Sequence, residues 1–150
     1  MEKFGSWYDD LSVGQSIIHP SEKIIDKDSN FLFCELTSNH HPLHTDDDFA
    51  EKTQHGQLVV PGTYVLSLAV GLTVPEISGK AIANLSYSDI EHLKPTFIGD
   101  KIRVKSKILE KRKSATKTDR GIVLVESHVF NQKDEKVMLF RRTVMIPLEG

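Results

Sequence analysis

Between Pro61 and Leu72 the chain reads PGTYVLSLAVGL, and the remainder has to fold around this stretch. Pro61-Gly62 opens a helix expected over Thr63 to Leu72, since proline at a first-turn position gives up an N–H with no intrahelical partner. Val65, Leu66, Leu68, Ala69, Val70 and Leu72 leave that helix almost no polar face. A helix apolar nearly all round is expected in a core. Pro75 marks its stop. The wider apolar run, Leu58 to Val74, contains Pro61, Gly62, Thr63, Tyr64 and Ser67. It falls short of the roughly 20 apolar residues a membrane span needs, so no membrane partner is expected.

Everything after Gly79 reads as sheet. Ala81, Ala83, Leu85 and Tyr87 alternate with Ile82, Asn84 and Ser86, in a strand expected to run on toward Leu93. Pro95 and Gly99-Asp100 mark a turn. Lys101 to Glu110 alternates as a half-exposed strand does, with Ile102, Val104 and Ile108 on one face. Ser114 to Arg120 is a polar loop ending at Gly121. Ile122 to Phe130 is nearly continuous in apolar character, as expected of a central strand covered on both faces. Asn131 to Asp134 turns into a last strand, Val137 to Ile146. A buried helix followed by an antiparallel meander of about four strands implies an α+β fold in which the sheet wraps around the helix. Its edge strands need pairing or cover, and dimerisation through an edge supplies it.

Ahead of the helix the pattern is less regular. Trp7, Tyr8 and Leu11 form an apolar lead-in, and Val13-Gly14-Gln15 reads as a turn. Ser16 to Ile25 is expected to be a strand broken at Pro20. Asp28-Ser29 caps a helix expected from Asn30 to Thr37, carrying Phe31, Phe33, Cys34 and Leu36.

At 150 residues the chain suits one domain, 1–150, with a substantial core. A net charge of −2 and a pI near 6.4 argue against nucleic acid as a partner. The cluster Lys111, Arg112, Lys113 reads as a solvated loop. The single cysteine, Cys34, excludes an internal disulfide and sits among Phe31, Leu32, Phe33 and Leu36, so it reads as a small buried hydrophobe. Met1 to Leu11 is polar and partly acidic, which does not resemble a signal peptide, and a cytoplasmic location is expected.

The chemistry concentrates just before the apolar helix, in NHHPLHTDDDFAEKTQHGQ from Asn39 to Gln57. Pro42 restricts His41 to extended backbone, which puts His40, His41 and His44 on a shaped loop rather than a helix face. Thr45 or Asp46 then caps a short helix through Phe49 and Ala50 to Thr53, and Asp46, Asp47 and Asp48 suit its positive end. Three readings compete. The histidines are ordinary polar or satisfied residues; or His40, His41, His44 and Asp46 bind a metal, a reading weakened by the missing helical pair and the interrupting Pro42; or the loop performs general acid/base catalysis. A histidine with an ordinary pKa of about 6.5 takes and gives a proton near neutrality. The amides of the Gly62 helix start offer donors to a developing oxyanion. Together these suit enolate chemistry beside a carbonyl.

The runs N-H-H-P-L-H-T-D-D-D-F-A and T-Q-H-G-Q-L-V-V-P-G-T-Y resemble the motif D-x-N-P-L-H-x-D-x-x-x-A of the MaoC-like dehydratases, the (R)-specific enoyl-CoA hydratases. Asp28 and Phe31, Leu93-Lys94-Pro95, Gly99-Asp100, Arg120-Gly121 and Asn131-Gln132 extend the likeness over most of the chain. The resemblance implies a hot-dog fold, a homodimer with acyl-CoA bound near the subunit interface, and reversible addition of water to a trans-2-enoyl thioester. It implies no metal and no organic cofactor. His44 falls on the family's catalytic histidine, and Gly62 on the glycine whose N–H faces the thioester oxygen. Asn39 stands where the family has its catalytic aspartate, and His41 where it has asparagine. An amide positions a water but does not accept its proton.

The expected function is therefore an acyl-CoA hydratase/dehydratase, with an acyl group that is branched or dicarboxylic. His44 is the acid/base, Asn39 orients water, and Gly62 polarises the thioester. His41 or His40 is an auxiliary proton carrier or the partner of a substrate carboxylate. Two alternatives stand beside it: an acyl-CoA thioesterase of the same fold, and a non-catalytic acyl-CoA-binding subunit.

Overall fold

Period-two alternation builds most of the molecule, whose computed structural model describes residues 4–150. Three long strands lie side by side and antiparallel: β4 (Lys101–Lys113), β5 (Arg120–Phe130) and β6 (Lys136–Pro147). Their inward residues, among them Ile102, Val104, Val123, Val125, Phe140 and Val144, are buried. β3 (Ala83–His92) pairs with β6 and forms one edge. The other edge belongs to β1 (Ser16–Ile18) and β2 (Lys23–Ile24), which follow one another along β4 with the break at His19-Pro20 between them.

The sheet order β1-β4-β5-β6-β3 corrects the expected meander. β3 does not neighbour β4; residues 93–100 carry the chain from the β3 edge across the sheet to β4. That crossing is pinned by the Val59–Phe97 bridge and by the Val60 N–H donating to the Thr96 carbonyl at 2.8 Å. Alternation marks a strand but says nothing about which edge it joins. β5 is central as expected, yet only alternate residues are buried and the others, Ile122 to Phe130, are half-exposed. Lys111 to Lys113 finish β4 instead of forming a loop. The Lys111 ammonium donates to the carbonyls of Tyr8 and Leu11 and lies 4.0 Å from the centre of the Tyr8 ring.

The helices line up ahead of this sheet. α1 (Lys27–Leu36) starts earlier than Asn30, because the Asp26 carboxylate reaches the Ser29 N–H at 2.7 Å and is the cap in place of Asp28. α2 (Pro42–Thr45) is a single turn and α3 (Asp47–Glu51) is capped by Asp46. Cys34 is buried. α4 (Gly62–Thr73) is the long helix, lying on the concave face. Its burial is narrower than its composition implies. Val65, Ala69 and Thr73, four residues apart, are buried; Leu66, Leu68, Val70 and Leu72 are half-covered; Thr63, Ser67 and Gly71 are exposed. One sheet can cover only one side of a helix, so the apolar flanks of α4 outrun the cover that a single chain provides.

The interior holds two apolar clusters, one around Val65, Ala69, Met138 and Phe140, the other around Tyr8, Ile77, Ile108 and Val144. Buried polar groups lie among them. His19 pairs through Nδ1 with Glu76 (2.5 Å) and through Nε2 with the Ser106 hydroxyl (2.8 Å), which in turn meets Ser127 (2.8 Å). The buried Arg142 guanidinium donates to the hydroxyls of Thr73 and Ser78.

Candidate active site

The loop ahead of α4 is shaped residue by residue. His41 is extended before Pro42, as sterics demand, and its Nδ1 accepts from the Leu43 N–H at 3.0 Å, so His41 caps α2. That turn carries His44, which therefore sits on a short helix, not on a loop as the sequence suggested. Asn30, fully buried on α1, donates from Nδ2 to the His44 carbonyl at 2.9 Å and ties the turn to α1. The Val59 N–H donates to the Leu43 carbonyl from the other side.

Within that clamp, His44 Nδ1 lies 2.6 Å from the Val59 carbonyl oxygen. A carbonyl only accepts, so Nδ1 carries a proton, and in the neutral ring the lone pair is on Nε2. Gly62 is the first residue of α4, behind the Pro61 cap. Its N–H and that of Thr63 are first-turn donors that helix geometry leaves without an intrahelical acceptor. A cleft of about 320 Å³ holds both His44 and Gly62 in its lining, with apolar walls from Val59, Val65 and Met138.

Asn39 and His41 do not line this cleft. Asn39 Oδ1 accepts from the His41 N–H at 3.4 Å, and the His41 ring stands 5.8 Å from that of His44 and 6.2 Å from that of Phe49, centre to centre. His40 is exposed. Two histidines to which the sequence reading gave no role do line it: His55, in the turn after α3, and His92, the last residue of β3. The His92 ring packs so closely on Gly62 that a Cβ there would overlap it. Nothing in the sequence places the end of β3 against the start of α4, because that contact depends on β3 pairing with β6 and not β4.

Lys94 also lines the cleft, its ammonium 2.5 Å from Glu135. No Asp or Glu is part of the lining. Among the described residues no three His, Cys, Asp or Glu side chains converge in a way that could hold a metal ion, and no helix is long and apolar enough to cross a membrane. What the cleft offers is imidazole chemistry: one histidine of fixed tautomer, two more imidazoles, and the Gly62 amide at the helix start for an anionic oxygen.

Comparison with known proteins agrees in fold and in family. The chain is 30% identical over 142 residues to the mesaconyl-CoA hydratase of Cereibacter sphaeroides, covering 95% of this chain and 41% of that protein. A crystal structure from Chloroflexus aurantiacus, described as a MaoC domain protein dehydratase, superimposes with a TM-score of 0.92 at 29% identity, over 97% of this chain and 41% of that one. A Mycobacterium tuberculosis protein with a double hot-dog fold matches with a TM-score of 0.89 at 20% identity, over 97% of this chain and 45% of that one, and shows the same fold. The sheet wrapped on α4 is thus a hot-dog fold, and the chain spans about 40% of the length of the curated relatives it matches first. The family model described as mesaconyl-CoA hydratase covers residues 1–149, and the chain belongs to that family.

Proposed function

We propose that the chain is a hot-dog unit of an acyl-CoA hydratase/dehydratase that adds water reversibly to a branched or dicarboxylic trans-2-enoyl-CoA, mesaconyl-CoA among them. The observation that carries this reading is the His44–Val59 contact beside Gly62: an imidazole held through Nδ1, with Nε2 left for substrate, shares a cleft with the first residue of α4, whose N–H has no partner among the described residues. His44 handles the proton of the attacking water. The Gly62 N–H takes the thioester oxygen as charge moves onto it. Asn39, with Oδ1 engaged by the His41 N–H, keeps its Nδ2 to orient a water. His41, which caps α2, or the exposed His40 serves as an auxiliary proton carrier or as the partner of a substrate carboxylate. No cofactor takes part.

The unit is expected to work as a homodimer in the cytoplasm. Relatives of more than twice this length have room for two hot-dog units, and a second copy of this chain supplies the equivalent. β3 offers the surface for it, with Leu85 at 47% and Tyr87 at 46% exposure on an edge strand.

The test is incubation of the purified chain with mesaconyl-CoA, crotonyl-CoA and related enoyl-CoAs. Loss of the conjugated-thioester absorbance without free thiol is the expected result. Release of free thiol would make it a thioesterase, and binding without either would make it an acyl-CoA-binding subunit.

A further inference from the structure

Hydrating an enoyl thioester moves two protons: one leaves water and one arrives at the α-carbon. His44 accounts for one of them, through its single free lone pair. A carboxylate from the lining cannot account for the other, since the lining has no Asp or Glu, and Asn39 is an amide outside it. From this we propose that His92 is a second catalytic acid/base, so that the cleft works with two imidazoles. The proposal rests on the hydratase reading of the same cleft.

Position singles out His92. Its ring lies against Gly62, so a thioester oxygen on the Gly62 N–H has its α-carbon two bonds away, within reach of an imidazole nitrogen. The strand end that carries it is fixed: His92 is paired with Met138, and the N–H groups of Leu93 and Lys94 both donate to the Val137 carbonyl. Neither ring nitrogen has a hydrogen-bond partner among the described residues, which leaves both for substrate or solvent. His55 shares the lining, but the atoms nearest to a Cβ at Gly62 all belong to His92.

In the hydration direction, water gives a proton to His44 Nε2 as its oxygen bonds to the β-carbon. The electron pair of the double bond moves toward the α-carbon and the thioester oxygen, and the His92 imidazolium gives its proton to the α-carbon. His44 ends protonated and His92 neutral; one proton passes back between them through the solvent of the open cleft, so the net change is one water added. The titratable groups that line the cleft with His92 are His44, His55 and the Glu135-paired Lys94, and Glu91 precedes it on β3. Gly62 and Met138 face it without charge.

The experiment is the pH profile of kcat/KM for the full chain on mesaconyl-CoA, together with His92→Gln and His92→Ala. One imidazole must be neutral and the other protonated, so the wild-type profile is expected to be bell-shaped. His92→Gln should lower kcat by roughly 10²- to 10⁴-fold with KM within a few-fold, and should abolish the alkaline limb, which reports the acid. Added imidazole should restore part of the turnover of His92→Ala, which also demonstrates a folded variant. Retained kcat and alkaline limb in His92→Gln, or a rise in KM alone, would overturn the role of His92 and leave the hydratase reading standing. A wild-type chain that hydrates no enoyl-CoA would overturn both.

Discussion

The 2.6 Å contact between His44 Nδ1 and the Val59 carbonyl decides which nitrogen of this imidazole can take a proton. Val59 is itself held twice, by its N–H on the Leu43 carbonyl and by its bridge to Phe97, so the ring has a fixed reference on both sides of the cleft. His44→Gln keeps a polar side chain of similar length but removes the titratable nitrogen. It should lower kcat by roughly 10²- to 10⁴-fold while leaving acyl-CoA affinity within a few-fold. Steady-state kinetics on an enoyl-CoA, with calorimetric titration of a non-reactive acyl-CoA, reads both quantities. Equal losses in affinity and turnover would make His44 a binding residue.

Gly62 serves two geometries at once: its N–H opens α4, and its missing Cβ leaves room for the His92 ring. Because His92 is an exposed side chain at a strand end, it can swing out of the way of an added methyl. Gly62→Ala should therefore fold with a melting temperature close to wild type, yet lose roughly 10²- to 10³-fold in turnover as the donor is blocked and the ring displaced. If both losses share one contact, Gly62→Ala/His92→Ala should be far less impaired than the product of the two single effects. Full multiplicativity would separate the two residues.

The helix at 62–73 and the long strands after Gly79 were legible because their signals are local: apolar density in one case, period-two alternation in the other. His44 and Gly62 were legible through a contiguous motif. His92 was not, since its meeting with Gly62 arises from pairing of β3 with β6, a choice of edge that no short window of sequence encodes. The incomplete burial of α4 was hidden for a related reason: composition reports what a helix can bury, while its cover depends on how many layers surround it. Asp28-Ser29 is as good a local cap signal for α1 as Asp26, and only geometry distinguishes them.

The exposed apolar residues of β3 make a prediction about assembly. Leu85 and Tyr87 stand on an edge strand, and two shifts of register, at Asn84/Ser86 and Ser88/Glu91, interrupt its pairing with β6. The wild-type chain is expected to dimerise at micromolar concentration by light scattering. Leu85→Lys, which places a desolvation penalty in a self-complementary contact, should shift it to monomer and lower turnover in parallel. A wild-type monomer with full activity would remove any need for a second copy.

Asn39→Asp tests the electrostatics of the loop ahead of α2. An aspartate can still accept from the His41 N–H, so the loop should keep its shape. The new charge acts on the substrate instead. At a separation of a few ångströms in a solvated site, like charges repel by roughly 1 kcal/mol, or about fivefold. A dicarboxylic enoyl-CoA should lose about that factor in kcat/KM relative to crotonyl-CoA, measured on the same preparation. A gain on both substrates would instead make the missing carboxylate a catalytic deficit of this chain.

His19 sets the acid side of the stability profile. Burial, the dominant effect, holds its pKa below the ordinary histidine value, although the contact with Glu76 pulls the other way. The unfolded chain therefore binds a proton at this position at a higher pH than the folded one does. Stability contributed by neutral His19 is fully present above the unfolded value of about 6.5 and is lost as pH falls from there toward the lowered folded value. Asp26, Asp119, Glu126 and Glu135, whose pKa values are also lowered, add a further loss in the carboxylate range below that. Thermal melts across pH 8 to 3 should show a plateau, a first decline beginning near the histidine range, and a second lower down. His19→Gln, which can still reach Ser106 with an amide but cannot titrate, should start from a lower plateau and remove the first decline alone. A first decline that survives the substitution would show that His19 is not its source.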